Sequence, residues 1–330
     1  MNSPLVSIII PVYNAASHLE QCLQSAVNQT WKKKEIILVN DGSTDQSIQI
    51  AKRYENEYCK IITQENKGAA AARNTGIKHA KGSYIQFLDA DDILSLDKIE
   101  NQVKLIGSQL DKLVVCNTVQ FYDGEEHLNL APNPMEDNYI FSTNDPIAFL
   151  TNLWGLNDGH IAMVQPNAWL TPSNLIAKVG LWNEHLSLDD DGDFFCRILL
   201  NSKGIIKDRS SINYYRKYKR PKSVSGAMTS RALQSQLEAL NSKKEQLLKK
   251  ADNVSTRTAL ANLYLSLSMI SFRNDKAVYL TAKMAVETIG VKPSLKIVMG
   301  GNFIQLITKI FGWRTARIIS SWKRNIANQI

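Results

Sequence analysis

Four short β-branched or aromatic runs, LVSIIIP (5–11), EIILVN (35–40), KIIT (60–63) and YIQFLD (84–89), are separated by stretches with helical spacing. The first stretch places Leu19, Cys22, Leu23, Ala26 and Val27 at the i, i+3, i+4, i+7, i+8 positions of one helix face. The second runs from Asp45 to Tyr58 with Ile48, Ala51 and Tyr54 on one side, and the third, rich in alanine, covers 68–80. This alternation predicts an α/β fold with a mostly parallel sheet flanked by helices. Runs as continuous as SIII suit strands buried on both faces. In such sheets ligands bind outside the carboxyl ends of the strands. The residues after each run are therefore where chemistry is expected.

Those residues are polar. PVYN (Pro11–Asn14) follows the first run, NDGSTD (Asn40–Asp45) the second, QENKGAAAARNTG (64–76) the third, and DADD (Asp89–Asp92) ends the fourth. Taken alone, DGSTD is also what a turn and helix cap require, and NKG is also what a plain turn requires. Their occurrence in order at consecutive strand ends favours a common ligand. Three carboxylates at a strand end repel one another and desolvate badly, so a divalent cation with a phosphorylated substrate is the compensation expected, beyond water alone. A GxGxxG after the first run and a GxxxxGK[ST] anywhere are absent, which disfavours a dinucleotide oxidoreductase and a P-loop ATPase.

The motifs SIIIPVYNAASHLEQCLQSAVNQTW, ILVNDGSTD, NKGAAAARNTGIKHAKGSYIQFLDADD and LDDDGDFFCRILL resemble those of family 2 glycosyltransferases, which have the GT-A fold. The resemblance spans roughly residues 5–220. It implies inverting transfer of a sugar from a nucleotide diphosphate sugar, with UDP the expected carrier and GDP or dTDP open. Asp89-Ala90-Asp91 matches the family's DXD motif: Asp91 would ligate Mn²⁺ or Mg²⁺, and Asp89 would hold the ribose or a metal-bound water. Asp92 would face away and cap a helix starting near Leu94. Tyr13, beside Pro11 and Asn14, would pack on the base, and Asp41 would accept from a base N–H. Arg73 would meet phosphate or the base edge, and Asn66 with Gly68 would form the loop closing over it.

LDDDGDFFCR (188–197) matches the family's base motif, with Asp191 as general base and Asp190 in place of the usual Glu, so that the base could sit one residue earlier. A helix N-terminus alone would also favour these acids. MVQPNAWLTP (163–172) would border the acceptor pocket through Gln165 and Trp169, and Trp169 and Trp182 could equally be core aromatics. YYRKYKRPKSVS (214–225) matches the family's loop over the donor, without the histidine many relatives carry there. The acceptor class implied is a glycan, lipid-linked or protein acceptor in cell-surface polysaccharide or glycoconjugate synthesis. A non-catalytic nucleotide- or glycan-binding protein on the same fold is the alternative, disfavoured because Asp91 and Asp191 are both present.

The organisation expected is a catalytic domain over 1–225, with a nucleotide-binding half to about 120 and an acceptor half after it, then a helical region over 226–330. Of the net charge of +8, the stretch from Thr288 onward contributes seven cations and no acid. There, cations alternate with Phe303, Ile304, Leu306, Ile310, Phe311, Trp313 and Trp322 at helical spacing, the pattern of an interfacial helix on an anionic membrane surface over 291–330. Packing of that apolar face on the protein is the competing expectation. The histidines show no ligand spacing, and no motif points to nucleic acid. Four dispersed cysteines among apolar neighbours read as buried free thiols. With neither a leader nor a spanning run of the needed ~18 residues, a cytoplasmic protein, peripheral on the inner membrane face, is expected.

Overall fold

The computed structural model describes residues 3–218, 229–298 and 300–327, with side chains through residue 320. Its strands are β1 (Val6–Val12), β2 (Lys34–Asp41), β3 (Cys59–Gln64), β4 (Tyr84–Phe87), β5 (Ile93–Leu94), β6 (Leu113–Tyr122), β7 (Trp169–Pro172) and β8 (Ile205–Lys217). They form one sheet in the order β3-β2-β1-β4-β7-β6-β8-β5. Pairing is parallel from β3 through β4 and between β6 and β8, whereas β7 runs antiparallel to both β4 and β6.

The helices are α1 (Leu19–Val27), α2 (Ser47–Lys52), α3 (Ala69–His79), α4 (Lys98–Ile106), α5 (Pro146–Leu153), α6 (Ser173–Val179), α7 (Asp190–Asn201), α8 (Ser230–Lys250), α9 (Val254–Ser271), α10 (Lys276–Ile289) and α11 (Asn302–Ala327). Because β-strand side chains alternate, β1 feeds two layers. Ile9 joins Ala70 and Phe87 on one face, while Val6, Ile8, Ile10 and Val12 meet Leu19, Leu23, Ile99 and Val103 on the other. Gly76 lets α3 lie directly on β1, since a Cβ there would collide with Ile9.

The second helix is shorter than the spacing predicts, ending at Lys52 rather than near Tyr58. Asn56 is the cause: its Oδ1 accepts the N–H groups of Tyr58 (2.8 Å) and Cys59 (3.0 Å), a local bond that competes with the helix and turns the chain into β3.

Beyond residue 229, helices α8–α10 pack into the same buried cluster as α5 and α7. Leu233, Leu240, Leu247, Leu260 and Tyr264 join Phe149, Trp182, Phe194 and Phe195 there. All four cysteines are buried and free. Among the described residues no helix is long and apolar enough to cross a membrane.

Candidate active site

The loops after β1 and β2 are bound to each other. Asn14 takes a left-handed backbone (φ 49°), and its Oδ1 accepts the N–H groups of Thr44 (2.8 Å) and Asp45 (3.3 Å). Ala15 and Ala16 donate in turn to Ser47 Oγ and Asp45 Oδ2. Tyr13, just past the end of β1, is left 53% exposed. Asp41 is buried and accepts from Gln64 Nε2 (2.7 Å) and from the N–H groups of Lys67 (2.9 Å) and Gly68 (2.8 Å). Its carboxylate therefore shapes the 66–68 loop from below. Gly68 opens α3 at φ 92°, and a Cβ at Gly42 would press on the Asn66 backbone, so both glycines are required for this path.

Below these loops lies the acidic turn after β4. Because β7 is antiparallel to β4, the residues before β7 sit beside the end of β4. Asn167 occupies that place: its Oδ1 accepts the Asp89 N–H (3.0 Å) and its Nδ2 donates to Asp92 Oδ2. Asp92 is fully buried and also accepts the Arg216 N–H (2.8 Å). The expectation that Asp92 caps a helix near Leu94 is thus corrected. The chain forms β5 there, α4 begins only at Lys98, and Asp92 is an internal strut of the turn. Burial, reinforced by Asp91 and Asp89, pushes the Asp92 carboxyl well above the usual carboxylate range.

Asp89 and Asp91 remain partly open to solvent at either side of the nearly buried Ala90. Asp91 Oδ2 accepts from the Tyr218 hydroxyl (2.9 Å), and its carbonyl accepts from Arg216 Nε (2.8 Å). Burial, then the charge of Asp89, raises the Asp91 carboxyl. Asp89 Oδ1 is ion-paired with Arg73 (2.8 Å).

Arg73 joins the two acidic motifs. Only 7% exposed, it holds Asp89 with one terminal nitrogen and Asp190 with the other (3.2 Å), and its guanidinium lies 4.5 Å over the Trp182 ring. Burial alone would lower its proton affinity, and the two carboxylates more than reverse that. Asp190 and Asp191 form the first turn of α7, where free N–H groups and the helix dipole favour acids. Burial pushes Asp190 up to about 6, against the pull of Arg73. Asp191 accepts the Gly192 N–H (2.8 Å) and is raised by burial and then by Asp189. A carboxylate pair with proton affinity moved toward neutrality is suited to accept a proton at physiological pH.

Two carboxylate motifs thus lie at the carboxyl edge of a mainly parallel sheet, one at a strand end and one on a helix. The family described as Glycosyl transferase family 2 matches residues 7–166. Over 318 residues the chain is 30% identical to an uncharacterized glycosyltransferase of Rickettsia prowazekii, covering 93% of this chain and 90% of that one. The chain belongs to glycosyltransferase family 2. The fold of TarS 1-349 of S. aureus, solved in complex with UDP-GlcNAc, is similar at a TM-score of 0.60, with 16% identity over 86% of this chain and 88% of that one. The mannosyltransferase PcManGT of Pyrobaculum calidifontis, in complex with GDP-Man and Mn²⁺, is similar at a TM-score of 0.53, with 17% identity over 97% and 87%.

Within this family 2 enzyme, Trp169 is not an acceptor surface. It is 1% exposed, stacked on Phe195 (5.4 Å, 21°) and edge-on to Phe149. A β7 position at the centre of the sheet turns its indole into the core, which corrects the acceptor-binding expectation. Trp182 is likewise internal, stacked on Phe194 at 4.3 Å, and serves as the floor under Arg73. Gln165 is half-buried just before the turn that carries Asn167. Of the loop expected over the donor, residues 214–217 are the end of β8, and 219–225 lie outside the described residues. Arg216 and Tyr218 fall within that stretch, but neither was assigned an individual role from the sequence.

Proposed function

We propose that this glycosyltransferase is inverting and divalent-metal-dependent, and moves a sugar from a UDP-sugar to a glycan, lipid-linked or protein acceptor of the cell surface. The observation that carries this is the Arg73 bridge, which sets the Asp89–Asp91 motif and the Asp190–Asp191 pair in a single site. Tyr13 offers a face for the base, and Asp41 with the Asn66–Gly68 loop shapes its pocket. In the transfer, Asp191 accepts the proton of the acceptor hydroxyl. The acceptor oxygen bonds to the anomeric carbon from one side as the carbon–oxygen bond to the diphosphate breaks on the other.

Asp89 and Asp91 suit a Mg²⁺ or Mn²⁺ ion. Such an ion commonly takes one or two protein carboxylates and completes its shell with substrate phosphate. The raised proton affinity of Asp91 is also what a bound cation would reverse. Bound there, the ion would stabilise the charge of the departing diphosphate.

Thermal shift with UDP-N-acetylglucosamine, UDP-glucose, UDP-galactose and GDP-mannose, each with and without Mn²⁺, tests the donor. A UDP-sugar should stabilise the protein only when Mn²⁺ is present, and Asp91→Asn should lose that response while keeping the parent circular dichroism. Equal stabilisation without metal would overturn the metal role, and a response to GDP-mannose alone would overturn the uridine assignment.

The tail supports docking on an anionic membrane. Helix α11 is kinked at Gly312 (φ 78°), and Ile304, Ile307 and Ala316 pack on one another across the kink. Trp313 meets Phe272 edge-on at 5.4 Å. Part of the apolar face is therefore used internally. Leu306, Ile310 and Phe311 remain 54%, 61% and 66% exposed, beside Lys309 and Arg314. Each cation near an anionic surface contributes about 1 kcal/mol, a term that salt weakens. The full chain should therefore sediment with phosphatidylglycerol-rich vesicles and not with phosphatidylcholine vesicles, and Ile310→Ser with Phe311→Ser should stay in the supernatant. Equal sedimentation with both lipids would remove the membrane from the proposal.

A further inference from the structure

The acidic segment at the start of α7 is held by side chains of α8. Ser235 Oγ accepts the N–H groups of Ser187 (2.8 Å) and Leu188 (3.0 Å) and donates to the Leu188 carbonyl (2.9 Å). Ser242 Oγ donates to Asp193 Oδ1 (2.6 Å). Lys243, 5% exposed, donates to both oxygens of Asp189 (2.7 and 2.6 Å). The seven- and eight-residue spacing puts all three on one helix face. Asp189 pays for this contact in backbone strain: its φ of 63° is one of two positive values among non-glycine residues described, the other being Asn14. Its carboxylate folds back over the first turn of α7. A Cβ at Gly192 would collide with Asp189 Oδ1 and with Lys243 Nζ, so glycine is needed for the ammonium to reach in.

We propose that Lys243 is a positioning residue, which holds Asp189 in its left-handed conformation over the start of α7 and so sets the surroundings of Asp191. The proposal rests on Asp191 being the general base. The charged and titratable groups acting on Asp191 are Asp189 and Asp190 of its own segment, Arg73 of α3, Lys243 of α8 and Tyr215 of β8. Asp189 raises Asp191 and Lys243 lowers it. The ammonium itself stays charged against burial because Asp189 neutralises it. Removing Lys243 would leave Asp189 as an uncompensated buried anion beside the base, moving Asp191 upward.

Selective ¹³Cγ-aspartate NMR gives the test without a donor or acceptor, with the Asp191 resonance identified by its loss in Asp191→Asn. In Lys243→Met, Asp191 should titrate about one pH unit or more higher than in the parent. Lys243→Arg should restore most of the parent value, and so should Lys243→Met combined with Asp189→Asn, which removes the pair together. The inference is overturned if Asp191 titrates at the parent pH in a folded Lys243→Met protein, or if the double variant stays shifted. Failure of the base assignment is separate: it shows as undiminished nucleotide release in Asp191→Asn, whatever Lys243→Met does.

Discussion

Asp191→Asn is expected to bind nucleotide sugar as the parent does and to transfer about 10²–10⁴-fold more slowly, the usual worth of a general base. The substitution keeps size and hydrogen bonding and removes only the carboxylate proposed to take the proton. Asp190→Asn should instead loosen Arg73, with which Asp190 is ion-paired, and should be the milder variant. If Asp190→Asn proves the dead one, the base lies one residue earlier than assigned. The parent rate should fall as pH drops through about 6, since burial has raised Asp190 to that range and its neighbour Asp191 is raised as well, so that protonation of the pair removes the base. A rate independent of pH between about 5 and 8 would contradict this.

Arg73→Met is expected to destabilise the metal-free protein by about 2–4 kcal/mol in urea unfolding, between the worth of exposed and of fully buried pairs, because it leaves two part-exposed carboxylates, Asp89 and Asp190, without their buried cation. A second change, Asp190→Asn, should recover part of the loss, and Mn²⁺ should recover part through Asp89. A loss below about 1 kcal/mol, the range of exposed pairs, would mean that the bridge contributes little.

The donor half was legible in the sequence because its signals are local. A β-branched run and a spaced apolar stripe each report their own element, and α1 begins and ends where that stripe does. Asp89, Asp91, Asp190 and Asp191 stood out because charge in an apolar context is unusual. The end of α2 was missed because one side-chain acceptor, on Asn56, outweighed a continuing apolar spacing. Trp169 was ambiguous because an indole serves a core and a sugar surface equally well, and only its place on a central strand decides between them. Arg73 stood out in the sequence, but its two protein partners, acids 16 and 117 positions away, carry no local signal that would pair them with it. Lys243 had no local signature at all: it sits among ordinary helix-surface residues, and its partner lies 54 positions earlier.

Those separations bear on how the molecule comes into being. The sheet from β1 to β4 uses near neighbours and can condense early, as it emerges from the ribosome. The segment carrying Asp189–Asp193 cannot be completed until α8 has been synthesised and has docked against α7, because Ser235, Ser242 and Lys243 supply its partners. Until then the apolar side of α7 lacks Leu233 and Leu240, which later cover it. Long-range closures of this kind are the slow steps of folding. A nascent chain halted near residue 225 would hold the paired strands β1 to β4 beside an acidic turn that still lacks its α8 partners, so the proposed proton acceptor is completed later than the sheet beside it.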